Sequence, residues 1–150
     1  MKTFALVAAL TIVASPALAG SLAKYSCGVI GAPSPEGADK KIVVASFVCH
    51  GTEGMVKDAV MTGRSIFDVE KKVYLSGQNV IRSPGGLVVV QMVEGTRTYD
   101  GDKWVSSQGR SKSVYASGTF AAMNGKTDSW VAKPDGFNHF TVEVSDEVSN

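Results

Sequence analysis

The sequence predicts an all-β fold, an antiparallel meander of about eight strands forming a closed or partly open barrel, with a β-sandwich as the alternative. Three observations carry this expectation. From Lys41 onward, short apolar runs alternate with turn signals. The joints hold dipeptides that reverse a chain tightly, such as Asp100-Gly101 and Asn124-Gly125. The 16 glycines suit turns and bulges better than helices.

The runs follow in order. Residues 24–30 are a possible first strand, and residues 41–49 are rich in Val, Ile and Phe. Residues 64–69 alternate, with Ile66 and Asp68 on one face and Phe67 and Val69 on the other. Residues 73–82 are similar, with Gly77 marking a bulge. Residues 87–93 are the most apolar run, continuous enough for a central strand. Residues 104–107 and 112–120 read as two further strands, the second setting Val114 and Ala116 against Tyr115 and Ser117. Residues 127–132 carry Trp130, and the last segment alternates Phe140, Val142 and Val144 with Thr141 and Glu143. One stretch departs from the pattern. Val56 and Val60 stand four apart with Lys57 and Asp58 outward, which predicts a helical turn between Met55 and Met61.

Asp100-Gly101 and Asn124-Gly125 tolerate positive φ at both central positions, so each predicts a tight hairpin. Lys133-Pro134-Asp135-Gly136 reads as a type I turn with Gly placed for a bulge, and Ser83-Pro84-Gly85-Gly86 as another reversal. Each joins one run to the very next, which makes a meander. Closing such a meander removes its two edges and leaves an interior that side chains fill or that holds one small ligand.

Residues 1–19 read as a cleavable signal peptide before a single domain over residues 20–150. Lys2 supplies the positive start, the apolar run from Phe4 to Val13 is broken only by Thr11, and Ala17-Leu18-Ala19 presents small residues for cleavage. The apolar run ends at Ser15-Pro16, short of the ~20 residues a membrane span needs. These short regions are of the bacterial kind, which predicts a periplasmic or secreted protein. Cleavage removes Lys2 from 15 basic residues and leaves 14 against 14 acidic ones. A neutral mature chain excludes nucleic-acid binding through a general basic field.

Cys27 and Cys49 are the only cysteines, and export exposes them to an oxidising compartment, so a disulfide is expected. It would close a loop containing Gly31-Ala32-Pro33-Ser34-Pro35-Glu36-Gly37, which has neither strand nor helix pattern. A metal or redox role is disfavoured, since there is no Cys-x-x-Cys and His50 lacks further ligands at useful spacing.

Catalytic motifs fail on inspection. Asn124-Gly125-Lys126-Thr127 resembles the end of a P-loop, but position 120 is Phe120 where glycine is required. Gly63-Arg64-Ser65-Ile66-Phe67 and Gly109-Arg110-Ser111-Lys112-Ser113 both lack the last glycine of a nucleophile elbow. Asp100-Gly101-Asp102 lacks the remainder of a calcium loop. His139 alternates with Phe140 and is expected on the polar face of the last strand. No cofactor and no metal is predicted.

The aromatic residues of the C-terminal half are the suggestive set. Tyr99, Trp104, Tyr115, Phe120, Trp130 and Phe140 fall on expected strands or strand ends, and are the candidates to line a ligand pocket inside the barrel. Filling a core is the other use of such residues. The function expected is non-enzymatic binding of a small apolar or aromatic molecule. The alternatives are a cyclase- or isomerase-like barrel enzyme and a structural or interaction protein of the cell envelope. Strand count, meander order and export give an outline that resembles the small exported barrels of the calycin kind and the allene oxide cyclase and dirigent barrels. The Gly-x-Trp that opens lipocalins is absent, because the N-terminal segment has no Trp. No site residue is carried over from that resemblance.

Overall fold

In the computed structural model, which describes residues 21–31, 34–36 and 41–146, the apolar runs become strands. They are β1 (Ser21–Val29), β2 (Ser34–Glu36), β3 (Ile42–Gly54), β4 (Val60–Asp68), β5 (Val73–Ser83), β6 (Gly86–Asp100), β7 (Lys103–Gly118), β8 (Thr127–Pro134) and β9 (His139–Asp146). The expected signal peptide lies outside the described residues. From β3 to β9 each strand pairs antiparallel with the next, and β9 returns to β1. β1 in turn pairs with β3, from Ala23 opposite Gly54 to Val29 opposite Phe47. That pairing closes an antiparallel barrel of eight strands, β1 and β3 to β9, rather than a sandwich.

β2 adds no separate wall. Val29 opposes Phe47 and Ser34 opposes Val44, so one chain advances five residues while β3 advances three. β2 is therefore β1 resumed beyond an irregularity, in a stretch where the sequence pattern predicts no strand. Short pairing at the end of a sheet needs only backbone groups on one side, so Pro35 is compatible with it.

The cysteines sit on the closing seam. Cys27 and Cys49 face each other as direct partners with Cα atoms 3.9 Å apart, and they form a disulfide buried on both sides.

Residues 104–107 and 112–120 belong to one strand, the 16-residue β7, which ends at Gly118. Gln108, Gly109, Arg110 and Ser111 between them show no apolar alternation, yet the backbone continues because both neighbours pair with it. Ser111 opposes Met92 on one side and Asp128 on the other. The exposed hydrophobic residues Leu75, Val93, Val105 and Val114 are the extra residues of bulges in β5, β6 and β7. Gly77 is not a bulge: it pairs regularly with Ser65, and the β5 bulge falls at Leu75. The glycine makes room instead, since a Cβ there would lie 2.9 Å from Met92 Cε.

Two reversals form as tight hairpins. Asp100 pairs with Lys103 around Gly101-Asp102, with positive φ at Gly101 alone (58°), and Ser83 pairs with Gly86 around Pro84-Gly85. Asn124-Gly125 does not. A 3₁₀ turn at Ala121–Met123 precedes it, and burial of Phe120 and Met123 lengthens the connection beyond a two-residue loop. After Pro134 the loop runs over residues 135–138, two residues later than expected, with positive φ at both Gly136 and Asn138. Residues 55–58 form a turn and no helix. Val56 is fully buried whereas Val60 opens β4 and is 38 % exposed, so the two valines do not share a face. The turn folds back on β3 through Gly51 N–H to Ala59 O (2.8 Å) and Asp58 N–H to Gly51 O (3.1 Å).

Val56, Ala59, Phe120 and Met123 are all buried at the end where β3 meets β4 and β7 meets β8. They make a floor. The opposite end, where the β4–β5, β6–β7 and β8–β9 turns gather, is the mouth.

Candidate functional site

Inside the barrel lies a cavity of about 320 Å³. Its wall carries Phe47 from β3, Tyr74 from β5, Trp104 from β7, Trp130 from β8 and Phe140 from β9, with Met61, Ile81 and Val90 nearer the floor. The space survives because large rings lie against the wall, where glycines receive them. A Cβ on Gly95 would stand 2.9 Å from both Trp130 Cζ2 and Tyr74 Cδ2, and one on Gly109 would stand 2.6 Å from Trp130 Cζ2. Gly95 and Gly109 are cross-strand partners, so they form one seat for the indole.

The rings make two edge-to-face chains. Phe47 meets Phe140 at 5.6 Å between centroids, and Phe140 meets Trp104 at 6.1 Å. Phe67 meets Tyr74 at 5.1 Å, and Tyr74 meets Trp130 at 5.8 Å. Arg97 joins the two chains. Its guanidinium carbon stands 4.3 Å from the Phe67 centroid, 5.1 Å from Tyr74 and 5.3 Å from Trp104. Its Nε–H donates to Tyr74 Oη at 2.8 Å, and that hydroxyl donates to Ser107 Oγ at 3.1 Å. Trp104 Nε1–H donates to the same Ser107 oxygen at 2.9 Å. Burial works against the Arg97 charge, but the Tyr74 and Tyr99 phenols more than offset it and hold the group above its ordinary pKa.

A second polar region lies deeper. Tyr25 and Asp128 are both buried and both line the cavity, together with Asn79 and Ser111. Burial first, and the Asp128 carboxylate second, push the Tyr25 phenol well above the usual tyrosine range. His139 sits at the rim of the cavity, hydrogen-bonded through Nε2 to Ser26 Oγ (3.1 Å) with Nδ1 3.5 Å from Asp135. Among the described residues no group of three His, Cys, Asp or Glu could hold a metal ion.

The aromatic residues singled out from sequence separate into four places. Trp104, Trp130 and Phe140 line the cavity. Tyr99 sits at the rim, opposite Trp104 in the β6–β7 ladder and with Lys72 Nζ 5.8 Å from its ring. Tyr115 is 52 % exposed on the outside, and Phe120 is part of the floor. Phe47, Tyr74, Phe67, Tyr25 and Arg97 are the wall and mouth residues that sequence reasoning missed. Strand parity could have found Phe47, two residues before Cys49 on the same face. It could not have found Arg97. Counting from Val88, Val90 and Met92 puts residue 97 outside, and only the bulge at Val93 turns it in.

No protein-family model, no curated protein and no solved structure matches the chain.

Proposed function

We propose that the exported, disulfide-closed barrel is a non-enzymatic binder of a small apolar or aromatic molecule. The observation that carries this reading is the cavity of about 320 Å³, walled by rings that rest on glycines rather than filling the axis. The volume is at the lower end of small-molecule sites and corresponds to about ten water-sized groups. The lining reaches Pro134, Gly136 and Asn138 of the β8–β9 turn, at the end opposite the floor. Thermal unfolding of the mature chain with a panel of hydrophobic dyes and metabolites tests it. A ligand at a hundredfold its Kd adds about 2.7 kcal/mol, a Tm rise on the order of 10 °C for a domain of this size. No shift with any compound, together with an interior filled by its own side chains in an experimental structure, overturns it.

A cyclase- or isomerase-like enzyme is the second reading, and Asp128 beside Tyr25 in an apolar cavity favours it. Such an acid could move a proton on a bound substrate. Turnover of a bound compound that Asp128→Asn abolishes while binding persists would establish that reading over the first.

A further inference from the structure

Arg97 is a cation half-buried in an apolar cavity, and among the described residues no carboxylate pairs with it. Burial opposes the charge, while the Tyr74 and Tyr99 phenols and the aromatic faces around it stabilise it. Its Nε is already committed to Tyr74, and the Tyr74 hydroxyl and Trp104 indole are committed to Ser107. The Tyr99 phenol also hydrogen-bonds the guanidinium, which is thereby fixed in orientation while N–H donors beyond those two bonds remain. A fork held in this way at the mouth of an apolar cavity matches a carboxylate.

The far end of the cavity has the opposite character. Arg97 opposes Ser107, which opposes Ala132, so Arg97 stands at the level of Ala132 in the wall. Asp128 lies four residues further down β8, about 13 Å along the strand, buried and on the same lining. A negative group is drawn to the mouth, where Arg97 stands. Between the two ends the β8 wall carries Trp130, and Phe140, opposite Pro134, lines the cavity on the mouth side.

We infer that the cavity takes a small amphipathic monocarboxylate, with its carboxylate on Arg97 at the mouth and its apolar body against Trp130 and Phe140. This rests on the binding reading above and adds to it the class and direction of the ligand. Matched pairs test it: decanoate with decanol, and indole-3-acetate with indole-3-ethanol, titrated into the mature chain by calorimetry. At least one acid is expected to bind about 10- to 100-fold more tightly than its alcohol, the range of a charge-assisted hydrogen bond. Arg97→Gln is expected to bring the two members of that pair within about twofold, leaving the alcohol's affinity in place. The wild-type comparison decides alone if Arg97→Gln does not fold. Acids and alcohols binding equally well overturns the inference and leaves the binding reading standing. No binding by either member of either pair overturns the inference as well, and the dye and metabolite panel then decides the broader reading separately.

Discussion

Cys27 and Cys49 are direct cross-strand partners on β1 and β3, so their bond crosses one of the two β1 pairings through which the meander closes into a barrel. Every other pairing in the barrel joins strands that follow one another, except that of β9 with β1. The β9–β1 pairing joins the two ends of the described chain, with Ser21 opposite Ser145, so it carries the largest entropic cost of closure. The disulfide cuts the chain's freedom before folding by linking residues 22 apart.

Removing that bond with Cys27→Ala/Cys49→Ala should cost about 3 kcal/mol on the chain-entropy model. Urea unfolding of the variant and the wild type, both without reductant, measures it. Hydrogen exchange should show faster opening of β1 than of β6 and β7, because the seam is what loses its staple. A loss below about 1 kcal/mol would mean that the β1–β3 ladder holds the seam alone.

Gly95→Ala should displace the Trp130 ring. The added Cβ falls 2.9 Å from both Trp130 and Tyr74, and both rings are flanked by neighbours that cannot yield freely. Overpacking of this kind costs typically about 1–3 kcal/mol. Urea midpoints report the cost, and a changed tryptophan emission reports the displacement. Trp130→Leu in the same chain should return part of the stability. Without that return, the glycine is needed for its backbone and not as a seat.

The same geometry explains what the sequence could and could not say. Alternation and turn chemistry are local, and they sufficed for an all-β meander and for the hairpins at Gly101 and Pro84. The inside and outside faces are not local, because each bulge reverses the parity of everything after it. Tyr115 looks inward when counted from Ser113, but Val114 is an extra residue and turns it out. Arg97 looks outward when counted from Met92, but Val93 turns it in. The valines at these positions look like core from their chemistry, yet they stand exposed. The mouth was hidden from sequence for this reason, while Trp130 and Phe140, on strands whose pairing with each other shows no register shift, were found.

Ser113→Ala should leave the protein as stable as the wild type or more so, by up to about 1 kcal/mol. Ser113 is fully buried, and its hydroxyl has no hydrogen-bond partner among the described residues. Its backbone is satisfied independently, through Ser113 N–H to Lys126 O and Gly125 N–H to Ser113 O. Removing an unmade hydrogen bond recovers desolvation energy at the cost of a small void. Thermal or urea unfolding decides the sign, and a destabilisation of more than about 1 kcal/mol would contradict it.

Tyr25 should make stability fall as the pH rises into the alkaline range. Its phenol is held above the value of 10.0 expected in the unfolded chain, by burial first and by Asp128 second. Above that pH the unfolded chain gives up this proton while the folded chain retains it. The folded state then binds more protons, so the free energy of unfolding decreases as pH rises. The contribution is fully present below the unfolded pKa and is lost progressively above it, by at most about 1.4 kcal/mol per pH unit for one proton. Urea midpoints of the wild type and Tyr25→Phe between about pH 8 and 11 isolate this group from the lysines, which titrate in both. The wild type should lose stability faster than Tyr25→Phe above about pH 10, with parallel curves below it. Parallel curves throughout would mean that the phenol ionises as readily in the barrel as in the unfolded chain, and that Asp128 does not act on it.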